Sequence, residues 1–454
     1  MPVAPPVVPP LPQVPAERDP LGLTDPPPAA KPALPANDPF KKFGEILGGP
    51  SDPMPPEESP AAEPAAPAIE DEPNPSPTAA KLPKPEPRHI DIAARLADPL
   101  PAIEVTASPL ADFLQVMQSL STVPITLRPD GLAMVRITPF NAETPVSWKG
   151  ASTTVLDAIQ GAVQPLGLEA RIEADQLIVD VASPQLMTTK LAVADLTAGN
   201  ERRTAEIAAL LLTFVAPDSW GDEDGQPILS VNKDELTVRQ HRIQLAQCFL
   251  LVEKLRIARG LPLASKFDPK LFELKTRSER AQATLATSIT LNYSIPTPLL
   301  RVAERLGKDA KVRILFDWQS LSAAGWNPDA EVTLSVEKQP LSAALTDLTR
   351  RMDLTWRVVD ARTIEILSPE TLADRTELEF YSVKDLTAND ATGAALLAKI
   401  RTALGGQAFR DAGGRGELRF DPTGKCLIAA LTQPQQQEVA KLLRGYRQAV
   451  TAAQ

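Results

Sequence analysis

Two cysteines and two histidines are all that this 454-residue chain offers for thiol, imidazole or soft-metal chemistry. Cys248 and Cys426 each sit alone among apolar neighbours, so both are expected as buried thiols rather than a disulfide framework. His89 and His241 are too few for a histidine-based metal site or a Ser-His-Asp triad. No Gly-rich phosphate loop, no G-x-S-x-G and no Cys/His ligand set occurs, and Asp112, Asp157 and Asp347 have no spaced general-acid partner. An enzyme is therefore not expected, and neither is a cofactor or a metal. Apolar runs are short as well. None approaches about 20 residues, so no membrane-spanning helix is expected. Met1-Pro-Val-Ala-Pro-Pro lacks the basic head and apolar core of a secretion signal, so the chain is cytoplasmic or its start lies downstream of an export segment and anchor. A basic excess is missing too. Lys and Arg number 47 against 57 Asp and Glu, and six of the ten excess negative charges precede His89. The near-neutral remainder argues against nucleic acid as a partner.

What the chain has in abundance is proline, and more than half of its 47 prolines precede His89. Runs such as Pro26-Pro-Pro-Ala-Ala30 and Lys81-Leu-Pro-Lys-Pro-Glu-Pro87 cannot bury enough apolar surface to offset their ordering entropy. Residues 1–90 read as a disordered, partly polyproline II spacer with a reach of roughly 200 Å or more. Phe40-Lys-Lys-Phe-Gly-Glu-Ile-Leu47 reads either as a short docking helix or as a transient turn.

The rest is written twice. Residues 103–196 return as residues 289–386 with order, spacing and apolar phase retained. Ser152-Thr-Thr-Val-Leu-Asp-Ala-Ile159 leads into Leu166-Gly-Leu168 and Arg171-Ile172. Lys338-Gln-Pro-Leu-Ser-Ala-Ala-Leu345 leads into Met352-Asp-Leu354 and Arg357-Val358. Asp195-Leu-Thr-Ala198 pairs with Asp385-Leu-Thr-Ala388. The expected class is α+β: two tandem copies of a pair of small modules, βαββαββ then βαββα. Residues 91–184 and 185–260 form the first pair, 261–287 a connector, and 288–369 and 370–454 the second pair. Ser108-Pro109 and Thr297-Pro298 are expected to open helices with a capping hydroxyl. Helical spacing then joins Leu110, Phe113, Leu114 and Met117, and in the second copy Leu299, Val302, Ala303 and Leu306. Residues 191–196 are expected as a strand, and Gly260 as a helix stop.

These residues resemble a known family. Ile103-Glu-Val105, Pro109-Leu-Ala-Asp-Phe-Leu114 and residues 146–179 are similar to the short N-terminal domain shared by secretins and TonB-dependent receptors. Leu341-Ser-Ala-Ala-Leu345 with Leu354-Thr-Trp-Arg-Val358 fits its Leu-x-x-Ala-Leu helix and closing strand. The second modules resemble the ring-building, KH-like domain that follows in secretins, and Pro217-Asp-Ser-Trp220 is similar to a pattern in planctomycete-type envelope proteins. The chain continues into neither a gate domain nor a barrel, so pore and transport activities do not carry over. The resemblance implies a periplasmic or envelope protein that packs against copies of itself or a protein partner. The proline-rich segment resembles the periplasm-spanning linker of TonB-like proteins. The residues alone also admit a cytoplasmic scaffold whose proline-rich tail recruits proline-reading domains.

Few features stand out as sites. Trp220-Gly-Asp-Glu-Asp-Gly225 lacks the closing Glu of a calcium loop and reads as a solvated acidic loop. Gly413-Gly-Arg-Gly416 matches G-x-x-G but precedes a strand, and so reads as a hairpin loop. Trp148, Trp318, Trp326 and Trp356 could form a recognition surface or pack in cores. Trp356 is expected in a core. Trp220, Trp318 and Trp326 are the candidate protein contacts.

Overall fold

The computed structural model describes residues 80–87, 89–134, 140–150, 153–182, 185–221 and 225–452. Residues 1–79 of the expected tail, including the stretch from Phe40 to Leu47, lie outside them, as do Asp222, Glu223, Asp224, Ser183 and Pro184. The class is α+β, built on small sheets.

The first module runs α1 (Ile92–Leu96), β1 (Pro99–Leu100), β2 (Ile103–Pro109), α2 (Leu110–Ser121), β3 (Ile125–Leu127), β4 (Pro145–Gly150), β5 (Thr153–Thr154), α3 (Val155–Val163), β6 (Leu168–Glu173) and β7 (Gln176–Val181). β2 and β4 form an antiparallel ribbon, and β3-β7-β6 a three-stranded sheet in which β3 runs parallel to β7. α3 starts where Thr154 and Asp157 build a capping box. It buries Val155, Ala158, Ile159, Ala162 and Val163 against the sheet. The hydroxyl caps expected at Ser108 and Thr297 are not formed. Backbone carbonyls take their place: Leu110 N–H donates to Thr144 O, and the equivalent Leu299 N–H to Ala330 O.

The second module runs β8 (Met187–Ala192), α4 (Ala194–Thr197), α5 (Glu201–Phe214), β9 (Ile228–Asn232), β10 (Glu235–Gln240) and α6 (Arg242–Ala258). Its sheet order is β8-β10-β9, all antiparallel. The strand expected over residues 191–196 ends at Ala192. Val193 N–H pairs with Asp234 O, and Val193 O then accepts from the Thr197 hydroxyl at 3.1 Å, which turns the chain into α4. The connector is partly helical: α7 (Arg277–Leu285) opens with a Thr276/Glu279 capping box.

The second copy repeats this wiring. β11 (Ser288–Pro298), α8 (Leu299–Ala310), β12 (Arg313–Phe316), α9 (Trp318–Ala323), β13 (Glu331–Pro340), α10 (Leu341–Arg351), β14 (Thr355–Val358) and β15 (Thr363–Leu367) give a β11–β13 ribbon and a sheet β12-β15-β14, again with its first strand parallel. After α11 (Pro369–Asp374) come β16 (Glu377–Ser382), α12 (Asp390–Leu404), β17 (Glu417–Asp421), β18 (Cys426–Leu431) and α13 (Gln433–Ala452), with sheet order β16-β18-β17. The shared Asp-Leu-Thr-Ala segments make matching contacts. Arg256 Nε meets Asp195 at 2.8 Å, and Arg447 Nε meets Asp385 at 2.6 Å. The same two guanidinium groups donate to the carbonyls of Ala192 and Ser382.

The modules pack on one another. α6 is buried on nearly all sides because it serves two sheets. Its own sheet covers one side, while Phe380, Cys426, Ile428 and Ala430 of the fourth module join the same core from the other. Phe249 turns instead toward Phe267 and Phe272 of the connector, with ring centroids 5.6 and 6.4 Å away. The corresponding outer face of the first-copy sheet carries Thr237, cross-strand from Lys190 and Ser230, and Arg239, cross-strand from Thr188. Between the outer modules, Leu315 of β12 belongs to the first-module core. Arg313 clasps Asp112 and Glu143 across a cleft between α2 and α8 of about 490 Å³.

One expectation of the tail is corrected. Residues 80–87 lie along the second-copy module: Leu82 packs against its core and Leu82 N–H donates to Arg351 O at 2.9 Å.

Candidate interface: a charged junction and the exposed strand edges

The expected contact tryptophans are mostly consumed by packing. Trp318 is 1 % exposed and stacks on Phe316 at 5.0 Å, and its backbone N–H donates to Thr126 Oγ1 of the first copy at 3.0 Å. Its contact is with the chain's own other half. Trp326 is also 1 % exposed, with Nε1 donating to Met352 O at 2.8 Å. Both are therefore corrected from surface candidates to core residues. Trp220 is half-buried against the second-module core, and its Nε1 donates to Val215 O at 2.7 Å. Trp356 is half-buried and donates to Thr346 Oγ1 at 3.1 Å. Trp148 lies over Gly150 and Gly161, where any Cβ would strike its ring.

The structure instead brings together charges that carry no local signal in the sequence. Arg357 on β14 is fully buried. Its Nε donates to Glu365 at 2.6 Å, Nη1 to Glu377 at 2.7 Å, and Nη2 to Asp130 of the first module at 2.9 Å. Arg375 adds bonds to Glu365 at 2.7 Å and Asp317 at 3.3 Å. Arg277 of α7 meets Glu377 at 3.1 Å, and its backbone N–H donates to Glu379 at 3.0 Å. Gln433, at the start of α13, donates to Glu377 at 3.1 Å and accepts from Val358 N–H at 2.9 Å. Burial drives Asp130 upward, yet Arg357, Arg277 and Arg375 hold it below the ordinary carboxylate range. At Glu365 burial wins, and its carboxyl lies above that range despite Arg357 and Arg375. Removing ions from water costs several kcal/mol each, so such a cluster fixes the relative placement of modules more than it adds stability.

Beside this network lies a cavity of about 1170 Å³ to which all four modules and the connector contribute, walled by Asp130, Lys254, Arg277, Asp360, Glu379 and Arg410 among others. Lys254 is 3 % exposed and has no ion pair within 4.0 Å among the described residues. Its Nζ lies 5.7 Å from the Phe380 ring centroid, and burial lowers it to about 8. Glu379 Oε2 and Arg280 Nε find no hydrogen-bond partner among the described residues. Elsewhere at the module boundary, Arg259 at the end of α6 holds Asp421 at 2.8 Å, and Arg410 holds Asp218 at 2.9 Å.

This arrangement fixes modules in place. Burial pushes both cysteine thiols up, away from the reactive thiolate. Among the described residues, no group of three or more His, Cys, Asp or Glu is disposed to hold a metal, and no helix is long and apolar enough to cross a membrane. What remains outward are strand edges and scattered apolar side chains. Ile172, on the outer strand β6, is 48 % exposed; Val116 and Leu120 on α2 are 52 % and 51 %; Ile295 in the β11 bulge is 72 %.

Sequence reasoning missed the Arg357 cluster, α7 and α9. The last two had visible signals. Thr276-x-x-Glu279 is a capping box. Asp317 caps α9 by accepting from Ser320 N–H, with Trp318 and Leu321 at helical spacing behind it.

No protein-family model and no curated protein matches the chain. Among solved structures, the enterotoxigenic Escherichia coli GspC-GspD complex from the type II secretion system is similar over 35% of this chain and 96% of its own, at 10% identity and a TM-score of 0.13.

Proposed function

We propose that this chain is a non-enzymatic interaction or assembly protein of the cell envelope, in which secretin-like α+β modules engage a protein partner and the proline-rich stretch acts as spacer. The observation that carries this reading is the division of the molecule's side chains. Apolar groups are spent on module cores and on the contacts between modules, and buried charges are largely paired with one another. The outer strand β6 keeps an outward Ile172 flanked by the ion-paired Glu169, Arg171 and Glu173. An extended partner segment added to such an edge gains main-chain hydrogen bonds and an apolar contact. The test uses the full chain as bait on a detergent-solubilised envelope fraction. A protein recovered in stoichiometric yield from that fraction, and lost with Ile172→Lys, supports the reading. Recovery from the soluble fraction alone, or retention in the variant, refutes it.

A further inference from the structure

Residues 80–87, Ala-Lys-Leu-Pro-Lys-Pro-Glu-Pro, cross the second-copy module without helix or strand. Leu82 and Pro85 are half-buried, and the other six residues are exposed. A burial period of three is that of a polyproline II helix. Leu82 supplies the apolar anchor against the second-copy core. The polar contacts address mainly the backbone of the segment. Leu82 N–H donates to Arg351 O at 2.9 Å, Arg351 Nε donates to Ala80 O at 3.3 Å, and Asn327 Nδ2 donates to Glu86 O at 3.1 Å. The Arg351 fork is itself held by Thr333 O and Oγ1, at 2.7 and 2.9 Å. Among the described residues the one side-chain pair, Lys81 with Asp353 at 2.8 Å, is exposed on both sides and adds little. Gly325 completes the surface. Its φ is +83°, and a Cβ there would lie 3.2 Å from Lys84 Cδ, so a side chain would crowd the segment.

We propose that this groove, formed by Asn327, Arg351, Asp353 and Gly325, is a binding site for extended proline-rich segments bearing Leu-Pro. Residues 80–87 fill it within the chain as a built-in competitor, and the exchanging ligand is the same segment of a second copy. Three features support this. The contacts among the described residues come from a short segment, most of them read the backbone of any extended chain, and a second copy offers an identical anchor. Only residues 88–91 separate the segment from α1, so the internal competitor acts at an effective concentration of roughly millimolar. A second chain at micromolar concentration displaces it only when the internal contact is broken. The inference is independent of where in the cell the protein works.

Complementary full-length variants test it. Leu82→Asp disables the segment and vacates the groove; Arg351→Glu disables the groove and frees the segment. Each alone is expected to remain monomeric in light scattering, whereas an equimolar mixture forms a 1:1 heterodimer. A fluorescent peptide of residues 80–87 is expected to bind Leu82→Asp at least about tenfold more tightly than the parent chain. Adding Asn327→Ala to that variant is expected to weaken binding again. A mixture that stays monomeric, with a peptide that binds parent and variant equally or not at all, overturns the proposal. Far-UV circular dichroism checks both folds. Should Leu82→Asp not fold, a chain with residues 80–87 replaced by Gly and Ser takes its place.

Discussion

Replacing Lys254 by methionine is expected to stabilise the protein at neutral pH and to flatten part of its pH dependence. The ammonium group sits 3 % exposed over Phe380 with no carboxylate of the described residues in ion-pair range, and burial lowers it from 10.5 to about 8. Below pH 8 the charge is present in both folded and unfolded chains, and the folded state bears its full desolvation. At about 1.4 kcal/mol per tenfold change in protonation equilibrium, this costs roughly 3 kcal/mol. Between pH 8 and 10.5 the unfolded chain keeps the proton that the folded chain has lost, so stability rises with pH and the handicap fades. Methionine has a similar length and makes favourable contacts with an aromatic ring. Urea unfolding of parent and Lys254→Met at pH 7 and pH 9.5 isolates this group from others that titrate in the same range. The variant is expected to be more stable by about 3 kcal/mol at pH 7 and by no more than about half of that at pH 9.5. An equal gap at the two pH values, or a less stable variant at pH 7, refutes the reasoning.

Arg357→Met is expected to cost about 3 to 5 kcal/mol in urea unfolding, because Glu365 and Glu377 stay buried with fewer cations; a loss under about 1 kcal/mol contradicts this. Gly393 of α12 faces the Phe420 ring, and a Cβ there overlaps it. Gly393→Ala should therefore lower the urea midpoint despite a helix-propensity gain of about 1 kcal/mol, and a raised midpoint would count against the packing argument. Cys248 and Cys426 are both buried, with thiols pushed up by that burial, so iodoacetamide should label neither in native buffer at pH 8 and both in urea.

The elements were legible wherever one face is buried. Leu110, Phe113, Leu114 and Met117 predict α2, and Val155, Ile159 and Val163 predict α3, because a helix period needs only neighbours in sequence. The Leu-Ser-Ala-Ala-Leu run at Leu341 predicts α10 for the same reason. Contacts between modules left no such trace. Arg357 alternates along β14 like any outward residue, and its partner Asp130 lies 227 positions away. Trp318 and Trp326 read as candidate contacts open to packing or exposure, because the segment that carries them reads as loop until Asp317 is recognised as the cap of α9. Residues 80–87 looked featureless because a period of three with a single leucine resembles any proline-rich run until the groove beneath it is seen.

The helix shared by two sheets also sets a limit on size. A helix of one copy seated on the sheet of the other is a head-to-tail contact, and such contacts, repeated from molecule to molecule, grow into filaments. Growth would require α13 of one molecule to land on the first-copy sheet of the next. Apart from Ile228, that landing place is planted with Thr188, Lys190, Ser230, Thr237 and Arg239, whose hydration an incoming helix would strip without recompense. Growth by this helix-on-sheet route is therefore disfavoured.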